Sequence, residues 1–129
     1  MIFNLVMSDN VTKVVGPYSN FISPPHGTHP VYFSGVIGIN QLTGTITAKS
    51  FEEEIKTVFE NLKLNMEAAH VKIPNIVKVN VYLDDFKYFE EMNKLYSEFL
   101  GEHRPCRVTI AAKALPKGAL VEIDIIAHI

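Results

Sequence analysis

The sequence predicts an α+β domain in which two helices cover one face of a mixed sheet of about five strands. Three observations predict it. The hydrophobic period alternates between two and 3.6, so strands and helices separate along the chain. Helical stretches occur only twice, too few to cover both faces of the sheet. The 129 residues form one domain, 1–129, with no linker, repeat or low-complexity tract.

In chain order, "GPYSNFISPPHGTHP" contains four prolines and two glycines, which forbid regular structure. "VYFSGVIGI" reads as a strand or hairpin, with Ser34 and Gly35 at a strand end, and "NQLTGT" as a turn. "SFEEEIKTVFENLKLNMEAAH" puts Phe51, Ile55, Val58, Phe59, Leu62 and Met66 on one helical face, with Glu and Lys opposite. Ser50 and Glu53 have the spacing of a capping box.

"IVKVNVYLDD" returns to period two, Val77, Val79, Val81 and Leu83 against Lys78, Asn80 and Tyr82. Asp84 or Asp85 caps a second helix, "FKYFEEMNKLYSEFLG", with Phe89, Met92, Tyr96 and Phe99 on its stripe and Gly101 at its end. The closing "RPCRVTIAAKALPKGALVEIDIIAHI" supplies two strands, read as a hairpin around "LPKG". The order is therefore β-β-α-β-α-β-β. In the last strand Val121, Ile123, Ile125 and Ala127 point one way, and Leu120, Glu122, Asp124 and Ile126 the other. That second face is mixed rather than polar, and Phe33, Val36 and Ile37 add to the apolar supply, so the expectation is burial against another copy.

Composition narrows the function. A net charge of −2 with scattered lysines argues against binding a nucleic-acid backbone. No apolar run approaches the ~18 residues of a membrane helix, and "MIFNLVMSDN" lacks the basic and small-residue marks of a signal peptide. Cys106 is the single cysteine, so no intrachain disulfide forms, and the expected address is cytoplasmic. "HGTH" sets His26 and His29 three apart in a loop without further ligands, and no phosphate-binding glycine loop occurs. Neither a metal nor a cofactor is expected.

The anomaly is Arg107 and Glu122, fifteen residues apart, in runs where a sheet would bury Val and Ile. One reading is a structural ion pair. The other is a substrate clamp, because a guanidinium fork matches a carboxylate bidentately and a nearby carboxylate can deprotonate water. Tyr18 in its loop either packs its ring or aims its hydroxyl into a pocket. Asn93 borders the second helix's stripe, where a single asparagine is commonly just exposed. Cys106 reads as an inert buried thiol.

"GPYS", "FSG", "MNKLYSEF", "RPCR" and "LPKGALVEIDIIA", in this order, resemble the RidA family, also called the YjgF or L-PSP endoribonuclease family. The resemblance runs from about Val14 to the C-terminus. It implies a chorismate-mutase-like fold, a homotrimer with sites between subunits, and hydrolysis of 2-iminobutanoate and 2-iminopropanoate to 2-keto acids and ammonia. Some members have also been assigned endoribonuclease activity, and a non-catalytic, carboxylate-binding trimer is a third reading. By the same resemblance Arg107 grips the substrate carboxylate and Glu122 serves the attacking water. Tyr18, Ser34, Gly35, Asn93 and Thr109 complete the binding set. Val36 and Thr109 stand where many members have Gln and Cys, and His70 where the first helix usually ends in Gly.

Overall fold

The structure, a computed structural model, describes residues 11–129. Residues 1–10, read above for a targeting segment, lie outside the described residues. The strands are β1 (Pro30–Tyr32), β2 (Val36–Ile37), β3 (Ile76–Leu83), β4 (Cys106–Ala111) and β5 (Val121–His128), with helices α1 (Phe51–Ala68) and α2 (Phe89–Leu100). Apart from three short 3-10 turns, this is the expected order of elements. Among the described residues no helix is long and apolar enough to cross a membrane.

The sheet runs β1-β5-β3-β4, with β2 also paired to β5. The hairpin alternative for "VYFSGVIGI" and the hairpin around "LPKG" are therefore corrected. β1 and β2 both pair antiparallel with β5 and not with each other, so Ser34 and Gly35 lie between two short strands rather than ending one. β4 and β5 are not neighbours, because β3 lies between them, parallel to β4 and antiparallel to β5. The physical reason is connection length. A helix such as α2 between β3 and β4 is the crossover that parallel pairing requires, and residues 112–120 are long enough to step over the end of β3. That step is fastened on both sides: the Ala112 N–H donates to the Leu83 carbonyl at 2.8 Å, and the Asp84 N–H to the Leu120 carbonyl at 2.9 Å.

The helices cover one face of this sheet. Phe51, Ile55, Val58, Phe59, Leu62 and Met66 of α1 are buried as the period predicts, against Val79, Val81 and Leu83 of β3 and Val121, Ile123, Ile125 and Ala127 of β5. Val77 departs from its expected face: a register shift between Ile76 and Lys78 puts Ile76 into the core instead. The other face carries Asn80, Tyr82 and Asp124, where Asn80 Nδ2 and the Tyr82 hydroxyl each donate to one Asp124 oxygen, at 2.8 and 3.0 Å. Beside them Val108 and Ile110 are each 46% exposed and Tyr32 is 74% exposed, an apolar surface without a cover in a single copy.

The helix ends follow local chemistry. Ser50 caps α1 by accepting the Glu53 N–H at 3.2 Å, a bond worth about 1 kcal/mol. The Glu53 carboxylate returns one residue earlier than a capping box requires, to the Lys49 N–H at 2.9 Å. At the other end His70 takes φ 59°. The Val71 N–H then reaches the Met66 carbonyl at 2.8 Å and the His70 N–H the Glu67 carbonyl at 3.1 Å, which is a Schellman closure around a non-glycine residue. Asp85 caps the 3-10 turn Phe86–Tyr88 that leads into α2 rather than α2 itself, and Gly101 ends α2 at φ 65°.

Candidate active site

The sheet register decides how the two anomalous charges relate. Arg107 pairs with Val79, whose side chain enters the core, so Arg107 points to the helix-covered face. Glu122 pairs with Tyr82 and Ile37, and Tyr82 shares the open face with Asp124. Within one copy the two side chains thus leave opposite faces of the sheet. They are also separated by two strand spacings across, about 10 Å, and by three residues along β3, about 10 Å more. No ion pair joins them among the described residues, so the structural-pair reading falls.

Arg107 sits in a cage of side chains from α2 and the Tyr18 loop. Its Nη1 donates to the Asn93 Oδ1 at 2.6 Å and lies 3.9 Å from the Met92 Sδ. Its guanidinium carbon lies 5.0 Å from the Tyr96 ring centroid and 5.8 Å from those of Tyr18 and Phe89. Burial draws the Arg107 pKa below its ordinary value, opposed by Tyr96 and Tyr18. An arginine nevertheless remains charged, and ring faces stabilise a cation that has lost part of its water. The second α2 stripe residue that matters, Tyr96, is buried, with its hydroxyl lacking a hydrogen-bond partner among the described residues. Burial pushes its phenol far above the usual range, so it stays neutral.

Tyr18 reaches the cage because its loop is tied to the chain entering β4. The Ser19 hydroxyl donates to the Arg104 carbonyl, and the Ser19 N–H to the Pro105 carbonyl at 3.2 Å. The Tyr18 ring faces Arg107, while its hydroxyl oxygen accepts the Val15 N–H at 3.4 Å. Gly16 leaves room for this approach: a Cβ there would stand 3.1 Å from the Tyr18 ring and 3.4 Å from the Arg107 Nη2. Thr109, opposite Val81, shares the face of Arg107, and its hydroxyl is buried without a partner among the described residues.

Gly35 and Glu122 form a separate pair. A Cβ on Gly35 would overlap the Glu122 Oε2 and stand 3.0 Å from its Cδ, so only glycine lets the carboxylate lie against this backbone. The expected set is thus split: Arg107, Asn93, Tyr18 and Thr109 on the helix side, Glu122 and Gly35 on the other, with Ser34 exposed next to Gly35 in the chain. Cys106 is partly buried, and burial raises its thiol pKa, as an inert thiol requires.

Residues not singled out from the sequence also matter. Phe89 and Tyr96 appeared only as stripe positions, yet they build the cage. Glu54 and Asn61 of α1 are 3% and 7% exposed, although a helix face carrying Glu and Lys was expected to be solvated. Their spacing among Phe51, Ile55, Val58 and Leu62 was the available signal, because a polar residue at a core position needs a partner.

The endoribonuclease L-PSP family profile matches residues 9–129. A RutC family protein of Pyrococcus horikoshii is 36% identical over 96% of each chain. A 2-iminobutanoate/2-iminopropanoate deaminase of Dermatophagoides farinae is 35% identical over 85% of this chain and 84% of its own. Among solved structures, RidA from an Antarctic Psychrobacter superposes with a TM-score of 0.74 at 33% identity, covering 98% of this chain and 99% of that one.

Proposed function

The chain belongs to the endoribonuclease L-PSP family, and from that premise we propose that it hydrolyses small 2-imino acids, 2-iminobutanoate and 2-iminopropanoate, to 2-keto acids and ammonia. The observation that carries the reading is the Arg107 cage. One guanidinium nitrogen is anchored on Asn93, three rings lie against the partly buried cation, and the rest of the fork is left for a substrate carboxylate. A relative at 35% identity carries the name of this deaminase.

Because Glu122 leaves the opposite face, the working site joins Arg107 of one copy to Glu122 of another. The uncovered apolar surface of Val108, Ile110 and Tyr32 is the natural contact for that assembly, a homotrimer. In the reaction, Arg107 fixes the carboxylate and leaves the iminium carbon exposed. Glu122 takes a proton from water as the oxygen bonds to that carbon, and the C=N electron pair moves to nitrogen. The resulting carbinolamine is protonated on nitrogen by Glu122. Its C–N bond then breaks as the oxygen pair forms C=O, and ammonia leaves. The hydroxyl proton passes back to the Glu122 carboxylate and from there to solvent. Imines hydrolyse in water unaided, so placement and one acid/base group, the latter worth roughly 10²–10⁴-fold, are sufficient.

The test generates 2-iminobutanoate with a threonine dehydratase and follows semicarbazide trapping. Wild type is expected to suppress semicarbazone formation, and Arg107→Ala and Glu122→Gln each to abolish that effect. Co-assembling the two inactive variants should restore part of it, because some interfaces then hold one intact arginine and one intact glutamate. Wild type without effect on trapping would sink the reaction. Active single variants would sink the residue roles, and no recovery on mixing would sink the shared site.

A further inference from the structure

We propose that Glu54 and Asn61, two buried polar residues of α1, are positioning residues that set the Glu122 half of the site. The inference rests on the reading above that Glu122 acts on substrate. Glu122 is gripped by no side chain hydrogen bond among the described residues, so its place depends on the backbone beneath it. That backbone has three parts: the start of β5, the two-residue strand β2 that pairs with it, and Gly35 immediately before β2.

The first two are tied to α1. The Glu54 Oε2 accepts the Leu120 N–H at 2.6 Å, two residues before Glu122. Asn61 Nδ2 donates to the Ile37 carbonyl at 3.2 Å and to the Ile39 carbonyl at 2.9 Å. Ile37 is the residue paired with Glu122. The Asn61 Oδ1 is in turn held by Gln41 Nε2 at 3.1 Å, so the amide orientation is fixed and both its ends are used. Between the two, Gly38 lets β2 approach so closely that a Cβ would stand 2.7 Å from the Glu54 carbonyl oxygen.

Packing does not do this work by itself. A groove of about 290 Å³ opens between β2 and α1, lined by Gly35, Val36, Ile37 and Asn61 among others. Val36 packs half-buried against the core, but a two-residue strand beside such a groove can make few contacts of that kind. Hydrogen bonds from two side chains seven residues apart, on one helical face, supply what packing lacks. Arg107 shares none of these partners and lies across β3. The device therefore tunes one half of the site and leaves the other alone, and an acid/base group displaced by an ångström loses on the order of 10²-fold in rate.

The experiment compares Glu54→Met, Glu54→Gln, Asn61→Leu and Gly38→Ala with wild type in the trapping assay. In parallel it measures inhibition by 2-oxobutanoate and amide exchange of residues 35–39 and 120–122. Glu54→Met, Asn61→Leu and Gly38→Ala are expected to lower kcat about tenfold or more while product affinity stays within about twofold. Glu54→Gln, which keeps an acceptor for Leu120, should retain kcat within about threefold. Exchange should rise at residues 35–39 and 120–122 and not in β3. Folded variants with unchanged kcat, or with kcat and product affinity falling together, would overturn the proposal. Gly38→Ala deletes no polar group, so it decides the matter if Glu54→Met does not fold. Should wild type show no turnover, the deaminase reading fails by itself, and unchanged exchange in the variants would still overturn the clamp.

Discussion

Arg107 is held by side chains, whereas Glu122 is held by backbone. Three rings and an amide from a loop and a helix converge on the guanidinium, and removing one of them leaves others. The carboxylate instead lies against Gly35 on a platform of two short strand segments, where any added atom meets it directly. The difference teaches that the two halves should fail differently. The arginine half should weaken by degrees and mainly in affinity, and the glutamate half abruptly and mainly in turnover.

The largest effect that would sharpen this contrast is Gly35→Ala. Its methyl group must push the Glu122 carboxylate aside, and we expect kcat to fall on the order of 10²-fold with little change in product affinity. Steady-state kinetics of the trapping assay check it, and a change confined to KM would break the comparison. Next comes Asn93→Ala, which takes one acceptor from a charged donor that keeps its rings. The expected cost is about tenfold in product affinity, the low end for hydrogen bonds to charged groups, with kcat within about threefold. Inhibition by 2-oxobutanoate reads it directly. If kcat collapsed instead, Asn93 would belong to the chemistry.

The smallest effect lies away from both halves and sets their baseline. His70 adopts φ 59° at the end of α1, a conformation that costs a residue with a Cβ roughly 1–2 kcal/mol. Glycine there loses more freedom on folding, so His70→Gly should stabilise the fold by about 0.5–1 kcal/mol. Urea unfolding would register this as a raised midpoint at constant slope, and no change in kcat is expected. A shift in kcat would mean that α1 transmits changes at its end to Glu122.

Much of this was legible in the residues. The apolar stripes of α1 and β5 predicted their buried faces position by position, because period follows directly from backbone geometry. In α2, by contrast, Met92 and Tyr96 are buried as expected but Leu95 and Leu100 are buried in place of the half-buried Phe89 and Phe99. The resemblance to RidA proteins was also sound, and it rested on five short motifs in order. Strand adjacency was not legible. "LPKG" looks like a hairpin turn, yet whether β5 pairs with β4 or steps over β3 is decided by which partner offers the better buried face, and that is a tertiary matter. The split of Arg107 and Glu122 between faces was hidden for the same reason, since it depends on register across a third strand. Glu54 and Asn61 were masked by habit: charged and amide residues on a helix are ordinarily solvated, and only their place within the apolar stripe speaks against it.

The strand order carries a consequence for how the chain is made. β5 pairs with β1, β2 and β3, yet it is synthesised after all three. Until then β1 and β2 have no strand to pair with, and β3 has only β4, so the growing chain presents unpaired edges throughout its synthesis. Folding of this sheet must wait for β5 and then join segments 98 residues apart, as in His128 with Pro30, a topology that folds slowly. Loss of the final strand would therefore remove not an edge but the seam on which the earlier strands assemble.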